Sequence, residues 1–546
     1  MNDHARTILR ALAAPAVLAA ALAGCGSAQE RYGGFQFESR DFQQVDALDL
    51  AKAETAPARP LAEVSPVLED AKALAPPYPD RLEIPLDEVR ATVLENNLDV
   101  RAQLIAPSIA AADLAAEEAK FESTFFVNYQ RSDASLITNL DQGLPANTDQ
   151  ANVGVRVPLA TGGEIVVDAP LVRADQQLSP LVGDELWQSQ LGFSISQPFL
   201  RGGWFDATMN SIRISRYQGQ IVEAQTKLSV IRVLAAADRA YWNLYAAWGE
   251  LEVRRTQYDL AVRQLEAARR RVAAGDAPEL EVVRAESGVG RTVEAIIVAD
   301  ALLRSRQREI KKLLNRPDLP IESETGLVPR TTPSPVELSL DPGILSDSAV
   351  RNRMEMLELE LQLAVDASTI AFRRNQALPL FLFDFDYSFQ GQGSSAPSSY
   401  DNIFDGDFYQ LGLSAEIPIG NEAAEARLRS AILARIQRLA TRDARRQSIR
   451  AEVLEALDKI RQSWQRILAA RLETVLAART LEGEQRQFEV GIRTSTDVLD
   501  AAAQLANAQS REVRALADWQ IALVDLAFAT GTTLGGARVA FDDPAE

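Results

Sequence analysis

The sequence has almost no cysteine or histidine. Its 546 residues include one of each, Cys25 and His4, and both lie close to the N-terminus. The rest of the chain therefore lacks the side chains that Ser-His-Asp and Cys-His catalysis and histidine-ligated metal sites require. The phosphate-binding patterns GxxxxGK[ST] and GxGxxG are also missing. These absences exclude several enzyme classes, and we expect a non-enzymatic protein without a metal or cofactor.

Basic residues and long hydrophobic runs are also scarce. The chain has 57 Lys and Arg against 76 Asp and Glu, a formal net charge of −19. Because phosphate backbones repel such a charge, we expect no nucleic-acid partner. The apolar run from Ala11 to Ala21 follows Arg6 and Arg10 and is too short to span a bilayer. This pattern predicts a secretory signal peptide over residues 1–24.

The segment Leu22-Ala23-Gly24-Cys25 resembles the bacterial lipobox, whose cysteine is lipidated. A chance cysteine after an ordinary cleavage site is the alternative, but the chain has no second cysteine for a disulfide. In the enterobacterial sorting rule, a residue such as Gly26 after the cysteine favours the outer membrane. Residues 25–84 mix Pro, Ala and charges without sustained periodicity, which predicts a lipidated N-terminal tether.

The remaining sequence is a duplication. Each half has the order helix, two strand patterns, long helix, glycine turn and return helix. An offset of 256 places residues 122–130 on 378–386, and an offset of 220 places QLGFSISQP at 190–198 on QLGLSAEIP at 410–418. At an offset of 216 the apolar seams of the long helices coincide. Three registers in one order indicate two copies of one unit.

The registers also define the expected domains. The first repeat covers residues 85–316, the second covers 344–535, a Pro-rich linker covers 317–343, and 536–546 form a C-terminal tail. The difference 256 − 220 = 36 assigns about 36 extra residues to the first strand hairpin. We expect an additional β-hairpin there at about 150–175, around Gly162-Gly163.

The strand patterns alternate between apolar and polar residues. Phe381, Phe383 and Phe385 oppose Asp384 and Asp386, which fits a strand between lipid and a wet lumen. A soluble sandwich strand has the same alternation. Context favours the membrane, because residues 205 to about 274 contain no proline and can form a helix of about 105 Å, too long for a compact domain. Two hairpins cannot close a barrel in lipid, so several chains must pool their strands.

The most specific motif is FEVGIRTSTDVLDA, from Phe488 to Ala501. It is similar to the periplasmic-tip motif, aromatic-x-x-Gly-x-Arg-Thr-x-x-Asp-Val-Leu-Asp-Ala, of TolC-like outer-membrane efflux proteins. With the repeats, the resemblance covers about residues 85–535, in the lipoprotein subgroup of that family. The first-repeat counterpart is weaker, since Pro278 and Glu279 depart from the pattern.

The resemblance implies an α+β membrane protein built as a tandem-repeat protomer. Each protomer of a homotrimer would give four transmembrane β-strands to a 12-stranded barrel, and the helices would form a long coiled-coil periplasmic barrel. The implied function is the outer-membrane channel of a tripartite efflux or type I secretion system. Its partners would be a periplasmic adaptor, an inner-membrane transporter and outer-membrane lipid.

The resemblance also assigns roles to residues at the helical tips. Gly275 and Gly491 would form the tip turns, and Val490 and Thr494 would contact the adaptor beside them. Arg493 would occupy the position of a gate arginine.

Two carboxylates complete the expected gate, Asp497 and Asp500, which the family places at the constriction. They lie three residues apart on a helix beginning near Thr494, so both point the same way and threefold symmetry would gather six carboxylates. Glu281 falls on Asp497 at the offset of 216, so an ion pair between Arg493 and Glu281, within one subunit or between two, could hold the tip closed. The alternative is that these acidic residues complement a helix macrodipole.

Two other functions remain open from the sequence. A structural lipoprotein could use the long helices as an envelope-spanning spacer, although a spacer needs neither alternating strands nor a tip motif. A carboxylate enzyme could use Asp384 and Asp386, which lie about 7 Å apart on one face of a strand. No cleft of aromatics and amides is evident around that pair.

Overall fold

The computed structural model describes residues 80–137, 143–176 and 185–536. The predicted signal peptide, Cys25, almost all of the tether and nearly all of the predicted tail lie outside these ranges. None of the helices within the described ranges is long and apolar enough to cross a membrane.

The two repeats follow each other along the chain. The first half comprises β1 (Arg81–Ile84), α1 (Leu86–Asn96), α2 (Leu98–Gln103), α3 (Ala106–Glu118), β2 (Thr124–Ile137), β3 (Gly143–Pro158), β4 (Glu164–Gln176), β5 (Glu185–Pro198), α4 (Phe205–Thr208), α5 (Asn210–Ala273), α6 (Leu280–Leu314) and β6 (Gly326–Pro329). The second comprises α7 (Pro342–Asn352), α8 (Met354–Gln376), β7 (Leu380–Gly393), α9 (Ala396–Asp401), β8 (Gly406–Glu416), α10 (Glu422–Glu489), α11 (Ser495–Thr530) and α12 (Thr533–Gly536).

The longest helices are α5, with 64 residues, and α10, with 68. At 1.5 Å per residue they are about 96 Å and about 102 Å long. Their apolar seams are buried, as Leu244 and Leu251 are in α5 and Ile449 and Ile460 are in α10. Each long helix packs along the return helix that follows it, and α5 also packs against α11. The helical part is therefore the elongated coiled arrangement that the sequence predicts.

The second layer is one antiparallel sheet in the order β2-β3-β4-β5-β7-β8. The α+β class is confirmed, and the sheet has six strands: β2, β5, β7 and β8 are the two expected strands of each repeat, and β3 and β4 are the additional hairpin expected at about 150–175. Strands β3 and β4 contain 16 and 13 residues and pair along almost their whole length. The extra residues of the first repeat thus form two full strands of the sheet rather than an appendage. The β5–β7 pair joins the two repeats.

A small pairing that the sequence does not predict ties the linker to the helices. Strand β1 pairs in parallel with β6, and both Ile84 and Leu327 are fully buried. The Tyr241 hydroxyl of α5 donates to the Ile84 carbonyl at 3.1 Å and accepts from the Thr331 amide at 2.9 Å. The predicted tether therefore ends before Arg81, and the Pro-rich linker contains a strand.

Candidate functional site

One face of the six-stranded sheet is apolar across its whole width. Strand registers place one row of residues side by side on that face: Phe125, Val155, Val167, Phe193, Tyr387 and Tyr409. The next row contains Val157, Ile165, Ile195, Phe385 and Leu411. Many of these side chains are solvent-exposed in the single chain, including Tyr409 at 71%. A wide exposed apolar surface of this kind marks a site of contact with a membrane or with another protein.

The opposite face of the sheet is polar. Asn152 donates to the Asp168 carboxylate at 2.9 Å, and the Ser196 hydroxyl donates to Asp384 at 2.7 Å. Asp386 lies on the same face, opposite Ser194. These carboxylates, hydroxyls and amides form the lining that alternation predicts for a wet lumen.

The sheet ends in two strands that pair on one side only, β2 and β8. Their apolar-face side chains are strongly exposed, with Phe125 at 64% and Leu413 at 68%. Each edge presents unpaired backbone N–H and C=O groups, which cost several kcal/mol apiece in a lipid environment. A membrane setting for the apolar face therefore requires a partner strand at both edges.

At the far end of the helices, each hairpin reverses at a glycine. Gly275 follows α5 with φ of +78°, and Gly491 follows α10 with φ of +79°. This left-handed backbone strains residues with a Cβ. The Asp276 amide bonds back to the Arg271 carbonyl at 2.9 Å, as the Ile492 amide does to Gln487, which is the glycine-terminated helix end.

The start of α11 is closed by a capping box. The Thr494 amide donates to Asp497 Oδ2 at 2.9 Å, and the Asp497 amide lies 3.4 Å from the Thr494 hydroxyl. These hydrogen bonds, first among them the one from the Thr494 backbone, lower the pKa of Asp497. One oxygen of Asp497 thus serves as a cap within the protomer. The Asp500 side chain is 57% exposed and lies 3.8 Å from Arg291.

Glu281 has partners other than the predicted one. It accepts from the Ser495 amide at 2.9 Å and from Arg284 at 2.8 Å and is buried. Burial raises the pKa of Glu281, but the hydrogen bonds from Ser495 and Arg284 outweigh it, and the net shift is downward. Its carboxylate therefore links the first hairpin to the start of α11.

Within the protomer, Arg493 contacts residues other than Glu281. Arg493 Nε donates to Gln487 at 3.1 Å and lies 3.2 Å from the Glu484 carboxylate. The physical reason lies in Pro278, which stands where the second repeat has Thr494. Proline has neither an N–H nor a hydroxyl, so Glu281 cannot form a capping box and its carboxylate is free to reach the neighbouring hairpin.

A second link between the hairpins was not predicted from the sequence. Arg271 at the end of α5 donates to the Phe488 carbonyl at 2.9 Å, and its guanidinium lies 4.9 Å from the centre of the Phe488 ring. We call the Arg271–Phe488 and Glu281–Ser495 contacts together the tip clamp. Arg271 follows Arg269 and Arg270 in a basic run typical of helix C-termini, so nothing in the sequence singles it out.

Four apolar side chains are exposed at the tips. Val490 is 70% exposed and Ile492 is 74% exposed beside Gly491. Leu280 and Val283 are also exposed at the start of α6. Of these four residues, only Val490 was among the predicted adaptor contacts.

The arrangement of sheet and helices is the fold of outer-membrane channel proteins. CusC is 15% identical to this chain with a TM-score of 0.63, over 82% of this chain and 92% of CusC. The Campylobacter jejuni outer membrane channel CmeC is 14% identical with a TM-score of 0.62, over 82% and 86%. The Vibrio cholerae outer membrane protein VceC is 14% identical with a TM-score of 0.60, over 82% and 96%.

The second repeat matches a family model. Residues 345–532 are similar to the outer membrane efflux protein family, and the match covers about a third of the chain. No curated protein matches the sequence significantly. The predicted family resemblance is thereby confirmed, whereas the lipoprotein subgroup stays a prediction.

Proposed function

We propose that this protein is the outer-membrane channel of a tripartite efflux or type I secretion system. Substrates would pass through it from an inner-membrane transporter and a periplasmic adaptor to the exterior. The observation that carries the proposal is a sheet with one apolar and one polar face, joined directly to helices of about 100 Å in a fold shared with outer-membrane channels. The apolar face would contact lipid, and the polar face would line the conduit.

The strand lengths suit a membrane. A transmembrane strand needs about 9–11 residues, and β8, the shortest strand of the sheet, has 11. In lipid both sheet edges must pair, which requires further copies of the chain. The proposal therefore includes a closed homo-oligomer, for which the family resemblance implies three copies.

The helices carry matching faces for such a contact. Val298 and Leu302 of α6 are 64% and 43% exposed, and Leu472 and Leu468 of α10 are 61% and 54% exposed. Counted from the tips at 1.5 Å per residue, Val298 and Leu302 lie about 27 and 33 Å up α6, and Leu472 and Leu468 lie about 26 and 32 Å up α10. If α6 of one copy packs on α10 of the next, these two apolar faces lie at the same distance from the tips and bury each other.

The tips would hold the gate. In a threefold assembly Asp500 and the second oxygen of Asp497 gather around one axis, which favours cations and binds multivalent ones. Arg493 would hold the second tip through its contacts with Gln487 and Glu484. The turns at Gly275 and Gly491, together with Val490 and Thr494, would meet the adaptor.

The proposed lipid anchor and the proposed domain boundaries rest on the sequence. Cys25 would carry the N-terminal lipid and anchor the protein to the outer membrane, with the helices extending into the periplasm. Repeats at 85–316 and 344–535 would flank the linker at 317–343, which now includes β6.

Planar bilayers test the channel. We expect discrete conductance steps from the purified full chain, blocked by trivalent cations, with the block lost in the double variant Asp497→Asn/Asp500→Asn. An Arg493→Ser variant is recorded in parallel, because a closed resting gate conducts little and loss of its tip contacts would open it. A folded oligomer that is silent in the wild type and in Arg493→Ser would favour the spacer function instead.

A further inference from the structure

The hairpin of β3 and β4 is an integral part of the sheet wall. Val155 and Val167 stand in the apolar row between Phe125 and Phe193, while Asn152 and Asp168 face the polar side. With 16 and 13 residues, both strands are long enough to cross a membrane. β3 and β4 match the other four strands of the sheet in their apolar–polar alternation, in their length and in the alignment of their apolar residues with those of the neighbouring strands.

The turn of this hairpin is fixed at the helical end of the sheet. The Trp204 amide donates to the Thr161 carbonyl at 2.7 Å, and the Thr161 hydroxyl bonds to Gln197 at 2.7 Å. Gly162 has φ of +86°, and a Cβ there would lie 2.1 Å from the Gly202 carbonyl oxygen. The hairpin therefore turns against the connection from β5 to α4, level with the ends of its neighbours.

We propose that three copies of this chain close an eighteen-stranded transmembrane barrel, in which β8 of each copy pairs with β2 of the next. The inference rests on the proposed channel function and deepens it. Because barrel diameter grows roughly in proportion to strand number, the bore is about 1.5 times that of a twelve-stranded barrel, and its cross-section is about twofold larger. The helical tips, and not the membrane section, would then limit the size of the cargo.

The perimeter of the helical part accommodates this barrel. Four helices per chain adjoin the ends of the sheet strands, namely α3, α5, α8 and α10. Twelve helices packed about 8–10 Å apart have a perimeter of about 96–120 Å. Eighteen strands about 4.8 Å apart and tilted by about 40° have a perimeter of about 113 Å, whereas twelve strands reach only about 75 Å. Six strands per chain thus continue the helical cylinder with little narrowing.

Spin labels on two adjacent valines of β4 test the wall. Val167 belongs to the apolar face and Val166, its matched control, to the polar face. Each is changed to Cys in the full chain, labelled and reconstituted in vesicles, and the unchanged chain reports any labelling of Cys25. We expect the label at Val167 to be accessible to oxygen and protected from a water-soluble nickel complex, and the label at Val166 to show the reverse.

The copy number is measured on the same preparations by native mass spectrometry. Three copies with the opposed label pattern support the eighteen-stranded barrel. Labels that are both water-accessible in a folded trimer would overturn it, since the hairpin would lie outside the membrane. Two copies would also overturn it, because twelve strands would then close the barrel. Bilayer conductance is an independent readout: opposed labels in an oligomer that is silent both in the wild type and as Arg493→Ser would count against the channel and leave the barrel intact.

Discussion

Removal of the Glu281 carboxylate should loosen the start of α11. Glu281 accepts from the Ser495 amide at 2.9 Å in a buried position and is the described partner of that N–H group. A hydrogen bond to a charged group contributes about 1.5–3 kcal/mol. Glu281→Ala should therefore speed hydrogen exchange in peptides covering 492–498 by about tenfold to a hundredfold. Because the contact is confined to the tip, exchange in the long helices should be unchanged.

Two variants make this measurement specific. Glu281→Gln keeps a hydrogen-bond acceptor without the charge. Its tip peptides should exchange only about tenfold faster than in the wild type, since a neutral hydrogen bond still contributes about 0.5–1.5 kcal/mol. Glu279→Ala removes an exposed carboxylate two residues away and should leave exchange as in the wild type. If Glu281→Ala exchanges as slowly as Glu279→Ala, the Glu281–Ser495 contact does not hold the tip and the reasoning is refuted.

The same contact gives a pH dependence with a defined sign. The pKa of Glu281 is lowered in the folded protein, because hydrogen bonds from Ser495 and Arg284 outweigh the effect of burial. A lowered pKa means that the stabilisation is complete above the ordinary glutamate pKa and is lost as the pH falls through the folded value. Tip exchange, corrected for its intrinsic pH dependence, should rise in acid in the wild type. Glu281→Gln should show a smaller rise, which comes from Asp497, because the pKa of that cap is lowered as well.

Three further outcomes follow from the structure. Arg271→Ala should release the Phe488 carbonyl and, with Glu281→Ala in one chain, raise the open probability of single channels more than either change alone. Gly491→Ala should destabilise the second tip by about 1–2 kcal/mol, because φ is +79° there and a Cβ would lie 3.2 Å from Arg271; proteolysis at the tip measures the effect. Arg353→Met should lower the free energy of unfolding by about 1.5–3 kcal/mol in denaturant titrations, because it removes the buried partner of Glu355 and Glu452 and leaves them only Arg445; an unchanged stability would contradict a stabilising role of Arg353.

Much of the architecture could be predicted because it depends on periodicity. Long proline-free stretches with apolar seams define α5 and α10, and alternation along β7 separates Phe385 from Asp386 correctly. The duplication located the extra hairpin from a 36-residue difference. Its place within the sheet could not be predicted, because alternation reports the two faces of a strand and not its neighbours. The two strand patterns in each repeat predicted the other four strands of the sheet.

The contacts at the tip could be predicted only in part. The capping role of Asp497 was predictable, since Thr followed three residues later by an acidic residue is a helix-start pattern. The partner of Glu281 could not be predicted. The offset between the repeats shows which positions correspond but not which hydrogen bonds they form, and Pro278 removes the N–H and hydroxyl groups that Glu281 would need for a capping box. The β1–β6 pairing was also missed, because four-residue strands carry too little pattern to recognise.

Cross-linking between helices tests most directly whether three copies close one conduit. A chain carrying Val298→Cys and Leu472→Cys is treated with a short bismaleimide, beside single-cysteine and unchanged chains that report reaction at Cys25. The control pairs Val298→Cys with Leu433→Cys, which is exposed but about 84 Å up α10. A closed threefold channel should give covalent trimers from the first pair and none from the control. Monomers alone, linked dimers alone or an unlimited ladder of products would contradict a closed threefold channel.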